Sequence, residues 1–250
     1  MIDGAAIPGW YGKLPTLGDF ASRRLDAGFI EPWDHWLGSG LAAQRAQLGE
    51  AWLEAYLASP VWRFVLMPGV IPGVAQEAAA LAGVLMPSVD KVGRYFPLTI
   101  VRRLDELPHS SQQLEGLLGW LQRLEDVAVD ALHEDWDIDT LEGALAALPP
   151  PVVPTEPTHE AHLLAEAIAA GGAFVDISAL RRRADLALLL WDALAESPRA
   201  HPMVQGLSFW LADTPGAPQL LVSRGLPEEP QFIRLFAAAG GGAPVDGLPI

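Results

Sequence analysis

Apolar residues return at helical spacing along two long stretches of the chain. Trp33, Trp36, Leu37, Leu41, Leu48, Trp52 and Tyr56 place one stripe that runs through Ala58. Glu31 and Pro32 predict its start, because proline at the first helical position gives up an amide that has no helical partner. Leu114, Leu117, Leu118, Leu121, Leu124, Ala128 and Leu132 define a second stripe, with Ser110 and Gln113 as a capping box. A Trp-rich stripe can line a ligand cage, but the buried face of a core helix is the commoner use of the pattern. Shorter helices are predicted over residues 141–148, 158–170 and 179–196, although residues 186–191 are apolar enough for a strand.

Strand patterns lie between these helices. Residues 10–14 open like a strand before Pro15 and the Gly18-Asp19 turn signal, and residues 61–67 form a short apolar run flanked by Pro60 and Pro68. Residues 78–86 are apolar throughout, which predicts a central strand covered on both faces, although such Ala-rich sequence also tolerates helix. Residues 95–101 have aromatic and β-branched composition, and Pro97 suggests an edge position or a bulge because it has no amide for a ladder. If both runs are strands, the loop between them joins neighbours and carries Asp90, Lys91 and Arg94 at its tip, with Gly93 placed for a positive φ. Residues 207–212 and 219–223 read as a hairpin, and residues 173–177 as a further strand. The prediction is an α+β fold: a mostly antiparallel sheet flanked by helices, as a single domain over residues 1–236. Residues 149–157 are a proline-rich surface crossing, and residues 237–250 a flexible tail.

Composition narrows the functional classes. Sixteen Lys and Arg against 31 Asp and Glu give a net charge of −15, which disfavours phosphate backbones and anionic lipid as partners. The cluster Arg181 to Arg183 reads as a solvated helix face. The chain has no cysteine, so thiolate catalysis, disulfides and zinc-thiolate sites are excluded. No Sec-type leader and no stretch near the ~20 apolar residues of a membrane span is visible, so a soluble, cytoplasmic protein is expected.

Candidate chemistry mostly fails on spacing. Asp135, Asp137 and Asp139 begin like a calcium loop, but Thr140 and Ala146 stand where that loop needs glycine and a bidentate Glu. His159 and His162 flank Glu160 three residues apart, whereas the metalloprotease pair needs four to face one zinc. Nucleophile-elbow, P-loop and dinucleotide fingerprints do not occur, so no cofactor is expected.

The polar set Lys13, Asp19, Asp90, Lys91 and Arg94 remains, spread over two glycine-containing loops. In one reading it is architectural: Asp19 and Asp90 accept backbone amides in their turns, and Arg94 pairs with one of them to lock the loops together. In the other, Lys13, Lys91 and Arg94 stand out as a positive island on an acidic protein and dock an acidic or phosphorylated partner. Both can hold together.

The same loops carry a family resemblance. G-W-Y-G-K-L-P-T-L-G-D-F at residues 9–20 and G-V-L-M-P-S-V-D-K-V-G-R-Y-F-P-L at residues 83–98 resemble the TagF (ImpM) family associated with bacterial type VI secretion. Residues 208–236 are similar to that family's C-terminal hairpin, with Phe209 and Trp210 as its aromatic pair and R-G-L-P at residues 224–227. Residues 140–196 match no quotable block. The resemblance implies a non-catalytic post-translational repressor of secretion that opposes the threonine-phosphorylation pathway through a forkhead-associated scaffold protein. Alternatives from the residues alone are a small hydrolase or phosphate-handling enzyme using Asp19 or Asp90, and a structural accessory subunit of the apparatus.

Overall fold

The computed structural model describes residues 7–72, 80–105, 107–108, 111–151, 205–214 and 218–236. In chain order these form β1 (Gly9–Gly12), β2 (Ala21–Arg23), α1 (Ala27–Leu48), a 3₁₀ turn (Gly49–Ala51), α2 (Trp52–Leu57), β3 (Trp62–Leu66), β4 (Leu81–Met86), β5 (Leu98–Arg103), α3 (Ser111–His133), α4 (Ile138–Ala146), β6 (Leu207–Ala212), β7 (Gln219–Arg224) and α5 (Glu229–Leu235). The strands make one seven-stranded sheet in the order β2-β1-β5-β4-β3-β6-β7, with every neighbouring pair antiparallel. Strand β4 is buried at every position. Its alternate residues feed two cores: Leu81 and Leu85 join α1, α2 and α5 on one face, while Ala82, Val84 and Met86 join α3 and α4 on the other. The fold is a single α+β domain with helices on both faces of its sheet.

The Trp-rich stripe is core. Trp33, Leu37, Leu41, Trp52 and Tyr56 are buried, and Trp33 stacks with Phe29 and Trp210 and donates to Thr99 Oγ1 over 2.8 Å. The stripe is two helices rather than one, because Gly49 adopts φ 54° at the end of α1. The helix also starts earlier than Glu31 and Pro32 predict. Asp26 caps it by accepting the Phe29 amide, and Pro32 lies inside the helix opposite the carbonyl of exposed Gly28, which water can reach. Likewise α4 begins at Ile138, ahead of Leu141, because the Asp137 carboxylate accepts the Thr140 amide at 2.8 Å and caps it.

Helix α3 buries Leu117, Leu121, Leu124 and Ala128 as its spacing predicts, and also Trp120; Leu118 faces solvent. Pro97 marks neither an edge nor a bulge. It sits just ahead of β5, which lies between β1 and β4, so no ladder bond is asked of it. The predicted elements over residues 158–196, the capping Ser110, the basic cluster at Arg181 to Arg183, the His159/His162 pair and the tail at 237–250 lie outside the described residues.

Two glycines of α1 make opposite demands. A Cβ at Gly38 meets nothing within 4 Å, whereas one at Gly40 would come within 2.5 Å of the Phe232 ring where α5 crosses α1. Gly38→Ala is expected to stabilise the protein by about 1 kcal/mol through helix propensity. Gly40→Ala is expected to destabilise it by about 1–3 kcal/mol through overpacking. Urea denaturation of the two variants checks both signs.

Candidate functional site

The site is built where three connections meet at one end of the sheet: the loop from β1 to β2, the loop from β4 to β5, and the junction of α1 with α2. Leaving β4, the chain makes an isolated bridge between Val89 and Tyr95, and the Asp90 carbonyl accepts the Gly93 amide at 3.0 Å. Gly93 supplies the φ of 81° that this turn requires. Underneath, Tyr56 of α2 donates its hydroxyl to the Ser88 carbonyl and accepts the Ser88 amide, both at 3.0 Å. Ser88 Oγ in turn donates to the Lys13 carbonyl at 2.8 Å. The loop therefore stands on a helix and on the end of β1.

Asp90 holds the two loops together. Its side chain is buried, and Oδ1 accepts the backbone amides of Val92 at 3.0 Å and Arg94 at 2.9 Å. Oδ2 accepts Lys13 Nζ at 3.0 Å and Arg94 Nε at 2.7 Å. Four donors fill the roughly four lone-pair positions of a carboxylate. Burial pushes the Asp90 pKa up, but the bonds from the Arg94 amide, Lys13, the Arg94 side chain and the Val92 amide outweigh it and hold the group well below the usual carboxylate range.

The β1–β2 loop is tied to this unit twice. The Lys91 amide donates to the Leu17 carbonyl at 3.0 Å, and the Arg94 guanidinium donates to the Gly18 carbonyl. A Cβ at Gly18 would lie 2.9 Å from Lys91 Cε, so the lysine stem crosses the glycine. Phe20 packs edge-on to Phe96 and stacks on Tyr11, and Lys13 Nζ lies 4.9 Å from its ring centroid.

The five sequence candidates thus separate by depth. Lys13 is only 4% exposed, so it does not stand out as part of a positive island; it is the buried counter-ion of Asp90, itself 3% exposed. Arg94 pairs with Asp90 and bridges to Gly18, and its side chain remains 53% exposed. Asp19 is exposed and accepts only the neighbouring Phe20 amide, at 2.9 Å. Lys91 is exposed. Beside them stand Phe20 and Val92, which no motif singles out and which are 44% and 63% exposed in the two loops. Both lie in the quoted blocks; a hydrophobic residue at a turn position was the available signal.

Elsewhere, buried Arg63 of β3 faces Glu125 of α3 at 3.2 Å, donates to Gln122 at 2.7 Å and pairs with Asp213. Arg24 pairs with Glu142 of α4 at 2.5 Å, and Glu142 also accepts Trp10 Nε1 at 2.6 Å. These networks join sheet to helices. Among the described residues no group of three or more His, Cys, Asp or Glu is arranged to hold a metal ion, and no helix is long and apolar enough to cross a membrane.

A family model described as the TagF N-terminal domain, type VI secretion system-associated, matches residues 9–148. The crystal structure of PA0076 from Pseudomonas aeruginosa PAO1 is similar over 97% of this chain and 100% of that one, with 35% identity and a TM-score of 0.64. No curated protein matches the sequence.

Proposed function

The chain belongs to the TagF family of type VI secretion-associated proteins, and from that premise we propose that it is a non-catalytic cytoplasmic repressor of secretion, which works by occupying a partner. The partner is the forkhead-associated scaffold protein of the apparatus, and its occupation opposes the threonine-phosphorylation pathway. The domain responsible spans residues 1–236, with residues 237–250 as a tail, and needs no cofactor. The observation that carries this reading is the surface of the paired loops. It shows Lys91 and the outer edge of Arg94 beside exposed Phe20 and Val92, on a protein of net charge −15. A cation beside exposed apolar groups on a rigid base suits an acidic or phosphorylated partner, because the support costs little ordering on binding. Lys13 and Asp90 serve from beneath as that support; Lys91, Arg94 and Asp19 meet the partner.

The hydrolase reading is disfavoured by Asp90 itself. With both oxygens filled by four donors, it has no lone pair left to take a proton from a substrate or water. The remaining carboxylate of the set, Asp19, is exposed and accepts the neighbouring Phe20 amide.

Calorimetric titration of the protein with the scaffold of its own organism tests the proposal. Saturable binding is expected, weakened about five- to tenfold by Lys91→Ala. The melting temperature of that variant should stay within about 2 °C of the parent, since the Lys91 side chain is exposed. Absence of binding to both phosphorylated and unmodified scaffold ends this reading. Cosedimentation of the protein with assembled secretion machinery would favour the structural-subunit alternative.

A further inference from the structure

Seven large hydrophobic side chains are exposed among the described residues, and three of them, Phe20, Leu53 and Val92, lie in or directly beside the three connections at this one end of the sheet. Between the α1–α2 junction and the β4–β5 loop runs an open groove of about 490 Å³, lined by Arg45, Glu50, Trp52, Leu53, Arg94 and Tyr95. Of the two guanidiniums on its walls, that of Arg94 is held by hydrogen bonds and that of exposed Arg45 by a ring contact. Arg45 lies over the Trp52 ring, 5.1 Å from its centroid. Arg94 is fixed through Nε to Asp90 at 2.7 Å and through a second nitrogen to the Gly18 carbonyl. The fixed Arg94 guanidinium loses little side-chain freedom when it pairs with a carboxylate, and a planar fork is the geometry a carboxylate fits best. Glu50 is the single carboxylate of the lining, so cations exceed acids there, the reverse of the chain as a whole.

We propose that this groove receives an acidic, amphipathic segment of the partner protein, with a carboxylate against Arg45 and Arg94 and an apolar side chain against Leu53 and Tyr95. The inference rests on the reading of the chain as a docking regulator and gives the chemistry of what docks. Charge complementarity selects the acidic side chains. The apolar anchor is selected by Leu53, which is 38% exposed beside two aromatic rings, so that burying it adds to the charge contact.

The test uses the full chain and a fluorescein-labelled peptide of about twelve residues that alternates pairs of Glu and Leu, read by anisotropy. Control peptides carry Lys for Glu, or Ser for Leu. The Glu/Leu peptide is expected to bind saturably, and each control to bind at least about tenfold more weakly. Arg45→Ala and Leu53→Asp should each weaken the Glu/Leu peptide about tenfold, while Leu118→Asp, on the exposed face of α3, leaves it unchanged. Equal binding of the Lys peptide, no binding of the Glu/Leu peptide, or an unchanged affinity in Arg45→Ala overturns the assignment. Titrating the scaffold against the same variants separates the two ideas. If Lys91→Ala weakens the scaffold and Arg45→Ala does not, the groove is wrong and the docking reading stands. If the peptide fills the groove but the scaffold never binds, the docking reading falls and the groove's preference for acidic segments remains.

Discussion

Asp90→Asn is expected to lower the melting temperature by on the order of 10 °C, the largest loss from any single polar substitution at this end of the sheet. The asparagine keeps one oxygen for the Val92 and Arg94 amides, so the turn retains its backbone bonds. Its amide nitrogen, however, is a donor and faces two donors, Lys13 Nζ and Arg94 Nε, where a carboxylate oxygen accepted both. Lys13 is then left buried with no counter-ion among the described residues, only the Arg94 carbonyl at 3.3 Å and the Phe20 ring beside it. A buried cation without its counter-ion costs far more than the pair gained. Acid dependence gives an independent check. The folded carboxylate is held below its ordinary value of 3.8, so the stability it contributes is fully present above that pH and is lost as pH falls toward the folded value. The difference in melting temperature between parent and Asp90→Asn should therefore narrow below about pH 4. A constant difference from neutral pH down to about pH 2 would mean that the carboxylate is not held in this way.

The same substitution bears on the docking surface. Asp90 fixes Arg94, and Arg94 holds Gly18, so loosening Asp90 frees both loops at once. Lys91→Ala removes an exposed charge alone. A scaffold titration in which Asp90→Asn weakens binding at a temperature where the variant remains folded would attribute the effect to lost order in the loops. Arg94→Ala combines both consequences and is the less informative variant.

How far the sequence led can be judged from these residues. A strand in the region of residues 95–101 was legible, although it begins at Leu98 and runs to Arg103, and so were the loop before it and Gly93 as its positive-φ residue, because turn chemistry and β-branched runs act locally. The pairing of Arg94 with a loop carboxylate was legible as well, though not which one. The depth of Lys13 was not. A lysine one residue past a strand reads as exposed by type, and only the tertiary fold brings Asp90, 77 positions away, beneath the ammonium. Arg45 carried no signal at all. It is an ordinary polar position of α1 until the 3₁₀ turn at Gly49 sets it beside the β4–β5 loop that carries Arg94. Helix starts were misplaced for one reason in two places: Asp26 and Asp137 outcompete the apolar pattern and Pro32 in deciding where each helix begins. Strand order was beyond reach, since β3 pairs with β6 across more than 140 positions and nothing in either strand's composition names the other.

Gly12→Ala is expected to cost about 3 kcal/mol or more and to disturb the candidate site without touching any of its charged residues. Gly12 closes β1 immediately before Lys13, with φ at 136°, a value that side chains other than glycine rarely accept. A Cβ there would overlap the Pro97 carbonyl oxygen and lie 3.0 Å from Leu98 Cα. Both of those atoms are backbone, so no rotamer change relieves the contact. Either β1 moves away from β5, breaking the pairing of Tyr11 with Thr99, or the chain around Pro97 shifts and carries Tyr95 and Arg94 with it. Each route separates Lys13 from Asp90. Chemical denaturation gives the stability loss, and the scaffold titration gives its consequence. Weakened binding by a variant that still melts cooperatively would place rigidity of the paired loops, as well as their charge, among the requirements for docking. Unchanged stability would mean that the close approach of β1 to Pro97 is not what aligns the two loops.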